Sequence, residues 1–262
     1  MQNNSFFGFV ADSFKSINRI YHISSLDVQL KYRRTILGNI WIVLTYLITI
    51  SIISFVWSLW LRVSMSEYFP KLFIGFTIFY LILSFTAQSY DILYQKYQGI
   101  ILSLGIKINE VILRHLIFLL LEYMAFIPFY FVIILLSGIE ININILLFIP
   151  GLFLVIINGY WMLFLCSLIC ARFRDLGLLN SALMSTGILL TPILWDKERL
   201  GIYENYVYIN PFTSMVEAVR DPFLGIAVNP IVYYLLITYF IIGLIVCSIF
   251  YKKKYKVFHF WL

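Results

Sequence analysis

The chain has 262 residues, of which 62% are hydrophobic, 19% aromatic and only 12% charged, with a mean hydropathy of +0.92. A soluble domain carries about 25% charged residues, so there is too little polar surface here to cover a water-soluble globule. A soluble enzyme, a disordered protein and a nucleic-acid-binding domain are disfavoured, and the composition is that of a polytopic membrane protein. The net charge of +6 then becomes a question of where the cations lie. Cys166, Cys170 and Cys247 sit inside apolar runs, where buried thiols act as small hydrophobes and form neither a disulfide framework nor a zinc site.

Residues 1–35 lack a continuous apolar core and an A-x-A-like cleavage site, and contain Asp12, Lys15 and Arg19, so they are not a cleavable signal. Phe7, Val10, Phe14, Ile17 and Tyr21 recur at helical spacing and predict an amphipathic helix lying in the membrane interface. Ser24-Ser25-Leu26-Asp27 predicts the start of a second short helix, with Ser24 as cap.

A bilayer core of about 30 Å needs about 20 apolar residues in a helix. Six stretches qualify, at about 36–61, 72–90, 112–137 (interrupted by Glu122), 141–171, 176–195 and 229–251. The fold class expected is therefore all-α integral membrane. A cytoplasmic interface segment, 1–35, precedes a six-helix transmembrane domain, 36–262. The stretch 91–111 mixes Lys96, Lys107 and Glu110 with the short apolar run Ile100 to Ile106, which suits a helix lying under the membrane. The stretch 192–228 is rich in Trp, Tyr, Phe and Pro, too apolar for a solvated loop of its length. It predicts short re-entrant or interfacial helices between spans five and six.

Six crossings leave both termini on one side. Fourteen of the nineteen basic residues, among them Lys31, Arg33, Arg34, Lys96, Arg172 and Lys252 to Lys254, fall on that side; Arg62, Lys71, Lys197, Arg199 and Arg220 fall opposite. The positive-inside rule makes the richer side cytoplasmic. The net charge is thus mostly a topology signal with affinity for anionic lipid heads, and gives no support for nucleic acid.

The chain has no G-x-x-x-x-G-K-[ST] loop, no H-E-x-x-H, no D-x-x-D and no metal-ligating cluster, so it neither hydrolyses ATP by that route nor presents a metal centre. Glu122 stands inside a span, with His115 seven residues earlier on nearly the same face. An intramembrane acid faces protein or water, and a structural interhelix hydrogen bond is the favoured reading of Glu122, ahead of a proton relay. Tryptophans near span ends follow from interfacial preference alone. The 24 Phe and 19 Tyr exceed that need, and Tyr46, Trp57, Trp60, Tyr206 and Tyr208 are candidates for an aromatic path along which sugar rings slide.

The run from Leu26 to Trp41, Leu-Asp-Val-Gln-Leu-Lys-Tyr-Arg-Arg-Thr-Ile-Leu-Gly-Asn-Ile-Trp, resembles the motif at the start of span one in the permease subunits of polysaccharide-exporting ABC transporters. These are the O-antigen, capsule and teichoic-acid exporters of the type-2 ABC exporter class. Ala171 to Asp175 is similar to the family's cytoplasmic R-D turn, Thr191 to Trp195 to its T-P-I close of span five, and Asn210-Pro211 with Val219 to Gly225 to its outer segment. Phe258 to Leu262 also fits, whereas the loop before span three lacks the family's proline.

The resemblance implies a homodimer bound to two copies of a cytoplasmic ATP-binding subunit. That subunit holds ATP and Mg, and this chain needs no cofactor of its own. The cargo implied is a polyprenyl-diphosphate-linked glycan, O-antigen by expectation, in a bacterial cytoplasmic (inner) membrane with both termini inside. Lys96, Gln98, Leu104 and Lys107 are implied in ATPase coupling. Tyr32, Arg33 and Arg34 are implied at the lipid diphosphate or the gate, and Arg220 with Asp221 or Glu217 in ordering the outer segment; Arg174 and Asp175 suit a structural ion pair at a turn. Two rival readings are a type-2 exporter of a drug or lipid, and a membrane enzyme acting on polyprenyl phosphates. Neighbouring glycosyltransferase genes would separate the first, and clustered intramembrane acids the second.

Overall fold

The computed structural model describes residues 8, 10, 12–13, 15–89, 92–104, 106–173 and 175–254. The predicted contacts of Phe7, Phe14 and Phe258 to Leu262, and the pair Arg174–Asp175, lie outside or partly outside these residues. Among those described, the chain is helical throughout with turns between.

Helix α1 runs from Ile17 to Tyr32 as one element. The expected second start at Ser24 is corrected. The Ser24 hydroxyl stands 2.8 Å from the Ile20 carbonyl and 2.9 Å from that of Arg114, so it is a buried contact inside the helix and not a cap. The buried face is correspondingly Ile20 and Ser24, while Tyr21 of the predicted face is exposed. Helix α2, Ile40–Leu61, follows a short turn. It carries no charged residue, and most of its surface is exposed apolar side chain, from Ile48 and Ile52 to Leu59. It closes on Arg62 in the left-handed region (φ 56°), with a backbone bond to the Ser58 carbonyl.

Helix α3, Met65–Ala87, starts seven residues before the predicted span because Pro70 and Lys71 lie inside it. It is the hub of the bundle, contacting α2 and the five helices introduced next that follow the loop. The loop after α3 contains a π-turn, Ile92–Lys96, and a seven-residue helix α4, Gln98–Leu104.

The predicted third span is broken in two, α5 from Ile108 to Tyr123 and α6 from Ile127 to Ser137. The cause is local: Pro128 has no N–H to give to the carbonyl four residues back and disfavours helix before it. The last turn of α5 tightens instead into bonds from Ala125 to Glu122 and from Phe126 to Tyr123.

A 3₁₀ turn, Ile143–Leu147, leads into the long helix α7, Phe148–Arg172. Helix α8 covers Asp175–Leu190, and Asn180 bonds to the Thr86 carbonyl while the Tyr68 hydroxyl bonds to that of Leu194. These two bonds set α8 antiparallel to α3 along most of its length. A 3₁₀ segment, Lys197–Ile209, precedes helix α9, Pro211–Phe223, and then helix α10, Pro230–Lys254. Helix α9 begins as its sequence requires: Asn210 accepts from the Phe212 N–H and Pro211 takes the first turn, where its missing donor costs nothing. Every residue of α9 from Thr213 to Phe223 is buried, against α3, α7 and α10.

Close helix packing rests on glycine. A β-carbon at Gly151 would meet the Ala218 carbonyl oxygen at 2.1 Å, and one at Gly159 would meet the Phe85 ring at 2.4 Å. Without a hydrophobic drive between helices in lipid, such approaches supply van der Waals contact. Among the described residues five helical segments are long and apolar enough to cross a bilayer: Ile40–Leu61, Met65–Ala87, Ile108–Ser137, Ile143–Arg172 and Pro230–Lys253. The predicted fifth span, α8, has 16 residues, about 24 Å of helix, and ends where Thr191-Pro192 turns the chain.

Candidate functional site

Three constellations of polar and aromatic side chains stand out. The first is the seam between α1 and α5. Arg19 donates to Glu110 at 2.7 Å, Arg114 holds Asp27 through Nε and Nη2 at 2.7 Å each, and Lys31 donates to Glu122 Oε1 at 2.5 Å. The Tyr32 hydroxyl donates to the same Glu122 oxygen at 2.9 Å. Burial, then the neighbouring Glu122 carboxylate, push the Tyr32 phenol above its usual range. The pairs follow the same order on both helices, so α1 runs parallel to α5 and is tied to it at three levels. Asn39, past the end of α1, adds a 3.3 Å bond to the Leu121 carbonyl.

Beside this seam, Lys96 lies 3.3 Å from His115 Nδ1 and 4.3 Å above the Phe118 ring. His115 and Glu122 therefore have different partners, although they share a helix face. Among the expected coupling residues, Gln98 is half-buried, Lys107 pairs with Asp12 at 3.5 Å, and Leu104 closes α4. Arg33 and Arg34 are exposed at the end of α1, with no ion-pair partner among the described residues. Sequence reasoning missed Lys31, Asp27 and Arg19 as partners. Their signal was present: cation, anion, cation along α1 meets Glu110, Arg114 and Glu122, which alternate in the opposite sense.

The second is a cleft of about 380 Å³ where α2, α3 and α8 meet. Thr45, Tyr46 and Thr49 line it from α2, Phe79 and Tyr80 from α3, and Ile188 from α8. Tyr46 packs on Tyr80 at 5.0 Å between centroids and edge-on against Phe126 at 5.6 Å. The five aromatics named from sequence do not share one surface. Trp57 and Trp60 form a T-shaped pair near the far end of α2, with Trp60 73% exposed. Tyr206 is exposed beside Tyr203, while Tyr208 is buried with its hydroxyl engaged.

The third is a charge cluster where residues 191–210 and α9 meet the start of α3. Lys71 pairs with Asp196, and Arg199 lies 3.8 Å from the other Asp196 oxygen. Lys197 donates to the Tyr208 hydroxyl at 2.8 Å and to Glu217 at 2.9 Å, and Tyr208 donates to the second Glu217 oxygen. Burial pulls the Lys197 ammonium down, but its bonds to Tyr208 and Glu217 outweigh this and hold it above the ordinary lysine range. Arg220 donates through Nε to Asp221 at 2.9 Å and through Nη1 to the Pro192 carbonyl at 2.8 Å. The Arg220 guanidinium thus fastens α9 to the turn after α8, while Asp221 beside it on the same helix meets its charge. Asn210 adds a bond to Thr191. Among the described residues no group of His, Cys, Asp and Glu is arranged to hold a metal ion.

A family model described as ABC-2 type transporter matches residues 18–224, a range that takes in the seam, the cleft and the charge cluster. No curated protein matches the chain.

Proposed function

The chain belongs to the ABC-2 type transporter family as a multi-pass transmembrane component of an ABC exporter, and from that premise we propose that it exports a polyprenyl-diphosphate-linked glycan, with O-antigen as the expected cargo. Two copies of the chain form the pathway across a bacterial cytoplasmic membrane, and two copies of a separate subunit bind ATP and Mg on its inner face. Helix α8 with residues 191–196 makes the sixth crossing, supported by its antiparallel course along α3. Both termini are cytoplasmic, on the strength of the cation asymmetry.

In this reading the ATPase pushes on the segment from Ile92 to Lys107. The push reaches the bundle through α1, whose three ion-pair levels make it move with α5. Arg33 and Arg34, exposed at the end of α1, offer two planar forks suited to diphosphate oxygens. The Tyr32 hydroxyl is engaged by Glu122, so its part is to position that turn.

The observation that carries the glycan reading is the α2–α3–α8 cleft. Aromatic faces of Tyr46, Tyr80 and Phe79 stand beside the hydroxyl-bearing Thr45 and Thr49. Such a lining gives the C–H faces of sugar rings a stacking surface and gives their hydroxyls weak, exchangeable partners, so a polymer can slide. The apolar remainder of that lining, Ile50, Phe76, Leu83 and Ile188, favours a lipid or drug cargo as the second reading. Deleting the chain decides between them. Glycan accumulating inside the cell with loss from the surface supports the first reading, and unchanged surface polysaccharide ends it.

A further inference from the structure

The charge cluster encloses a cavity that the coupling and the cleft leave unused. It measures about 130 Å³ and is lined by Trp195, Lys71, Lys197, Glu217, Arg220 and Asp221, with Glu198 among the remainder. Its mouth passes Ile226, Ala227 and Asn229, which are exposed. Its floor is deeply buried: Glu217 is 1% exposed, Arg220 5% and Asp221 7%. We propose that this cavity is a subsite for one neutral sugar unit of the exported glycan, which enters with its vicinal hydroxyls while its ring rests on Trp195. The proposal rests on the glycan reading above and deepens it.

Charge balance selects the ligand. Three cations, Lys71, Lys197 and Arg220, face three carboxylates, Glu198, Glu217 and Asp221, so the described lining offers a phosphate or a sugar acid no net attraction. A neutral polyol needs the opposite of a net charge: strong donors and strong acceptors side by side, because each sugar hydroxyl both donates and accepts. The lining has that capacity to spare. Lys197 uses two of its three N–H groups, on Tyr208 and Glu217. Asp221 accepts from Arg220 through Oδ1, which leaves Oδ2. Bonds to ionised groups are the stronger kind, and their pairing within the protein keeps the buried charges from being orphaned while the site is empty.

The ring contact has a matching anchor. Trp195 is half-buried, and its indole N–H donates to the Leu189 carbonyl at 3.0 Å. That bond fixes the indole at the rim and leaves no free indole donor for the sugar. The site volume suits the edge of a single ring, not a length of polymer. Such a subsite grips the glycan once per unit, and a polymer advancing past it would be held between strokes.

The test uses this chain assembled with its ATP-binding subunit in lipid nanodiscs. Saturation-transfer NMR is recorded with the methyl glycosides of glucose, galactose, mannose and rhamnose, and with inorganic phosphate displacement as control. The wild type is expected to transfer saturation to at least one glycoside, undisturbed by phosphate. Trp195→Ala is expected to weaken binding about tenfold, and Phe153→Ala, on the exposed face of α7, to leave it unchanged. Asp221→Asn is expected to weaken it as well; should that variant fail to assemble, Trp195→Ala, altered at the rim, still decides. Equal signals in wild type and Trp195→Ala, displacement by phosphate, or no signal from any glycoside in a complex that still exports glycan overturns the subsite. In that last case the export reading stands. Unchanged surface polysaccharide on deletion of the chain overturns both.

Discussion

Lys31→Met is the most informative perturbation of the seam. Lys31 and Glu122 are unequal partners: the Glu122 side chain is 2% exposed and that of Lys31 44%. Removing one member of a fully buried pair costs about 3–5 kcal/mol, because the other is left charged and unpaired. Here the lysine keeps part of its hydration and Tyr32 keeps its bond to Glu122, so the loss falls to about 2 kcal/mol. That corresponds to about a 30-fold larger opening constant for α1. Glu122→Gln should do less, about 1 kcal/mol, since the amide oxygen still accepts from Lys31 and Tyr32 and no charge is stranded.

The asymmetry reverses the usual expectation that removing the more buried partner does more damage. The double variant Lys31→Met/Glu122→Gln should behave like Glu122→Gln alone, because the stranded carboxylate is gone. Amide hydrogen exchange of the last two turns of α1, in the assembled transporter, measures the opening directly. Exchange in Lys31→Met no faster than in wild type, or a double variant as fast as Lys31→Met, refutes the reasoning.

Gly151→Ala and Gly187→Ala form a second contrast. The first drives a methyl to 2.1 Å from the Ala218 carbonyl and should cost about 1–3 kcal/mol; the second meets only Phe79 at 3.5 Å and Phe212 at 3.9 Å and should be neutral or slightly stabilising. The thermal midpoint of purified complex reads both. Tyr130→Phe removes a hydroxyl placed 2.6 Å from Thr77 and 3.0 Å from Tyr123, and should lower stability by about 1 kcal/mol for each bond lost, read by unfolding in mixed micelles. Arg220→Lys keeps the charge but cannot reach Asp221 and the Pro192 carbonyl together as the guanidinium does. It should loosen α9 from the turn after α8, seen as faster exchange in residues 211–223.

Much of the candidate site was legible as residue types and little of it as partners. Arg220 was named with Asp221 or Glu217 as its partner; adjacency puts Asp221 within reach, but the bond to the Pro192 carbonyl, 28 residues away, belongs to the fold. Glu122 was read as an interhelix contact, but its partner Lys31 is 91 residues away, and nothing local in an apolar helix says which neighbour will face it. Tyr208 was grouped with the sliding aromatics by type; its hydroxyl is bound to Glu217 and Lys197, which only the fold of 197–209 onto α9 decides.

Composition and periodicity by themselves determined that this is an all-helical membrane protein and where its apolar segments lie. Those follow from transfer free energies summed along the chain, and need no contact between distant residues. The tertiary structure decided the rest: that α1 is one helix bound lengthwise to α5, that Pro128 breaks the third span, that α9 is buried, and that scarce charges meet in three pairs along a seam and in one cluster. The physical reason is the cost of an unpaired charge away from water. With only 12% of residues charged, each buried one must find its partner wherever the packing brings it, and packing in lipid is set by small residues such as Gly151 and Gly159, whose neighbours no sequence period records.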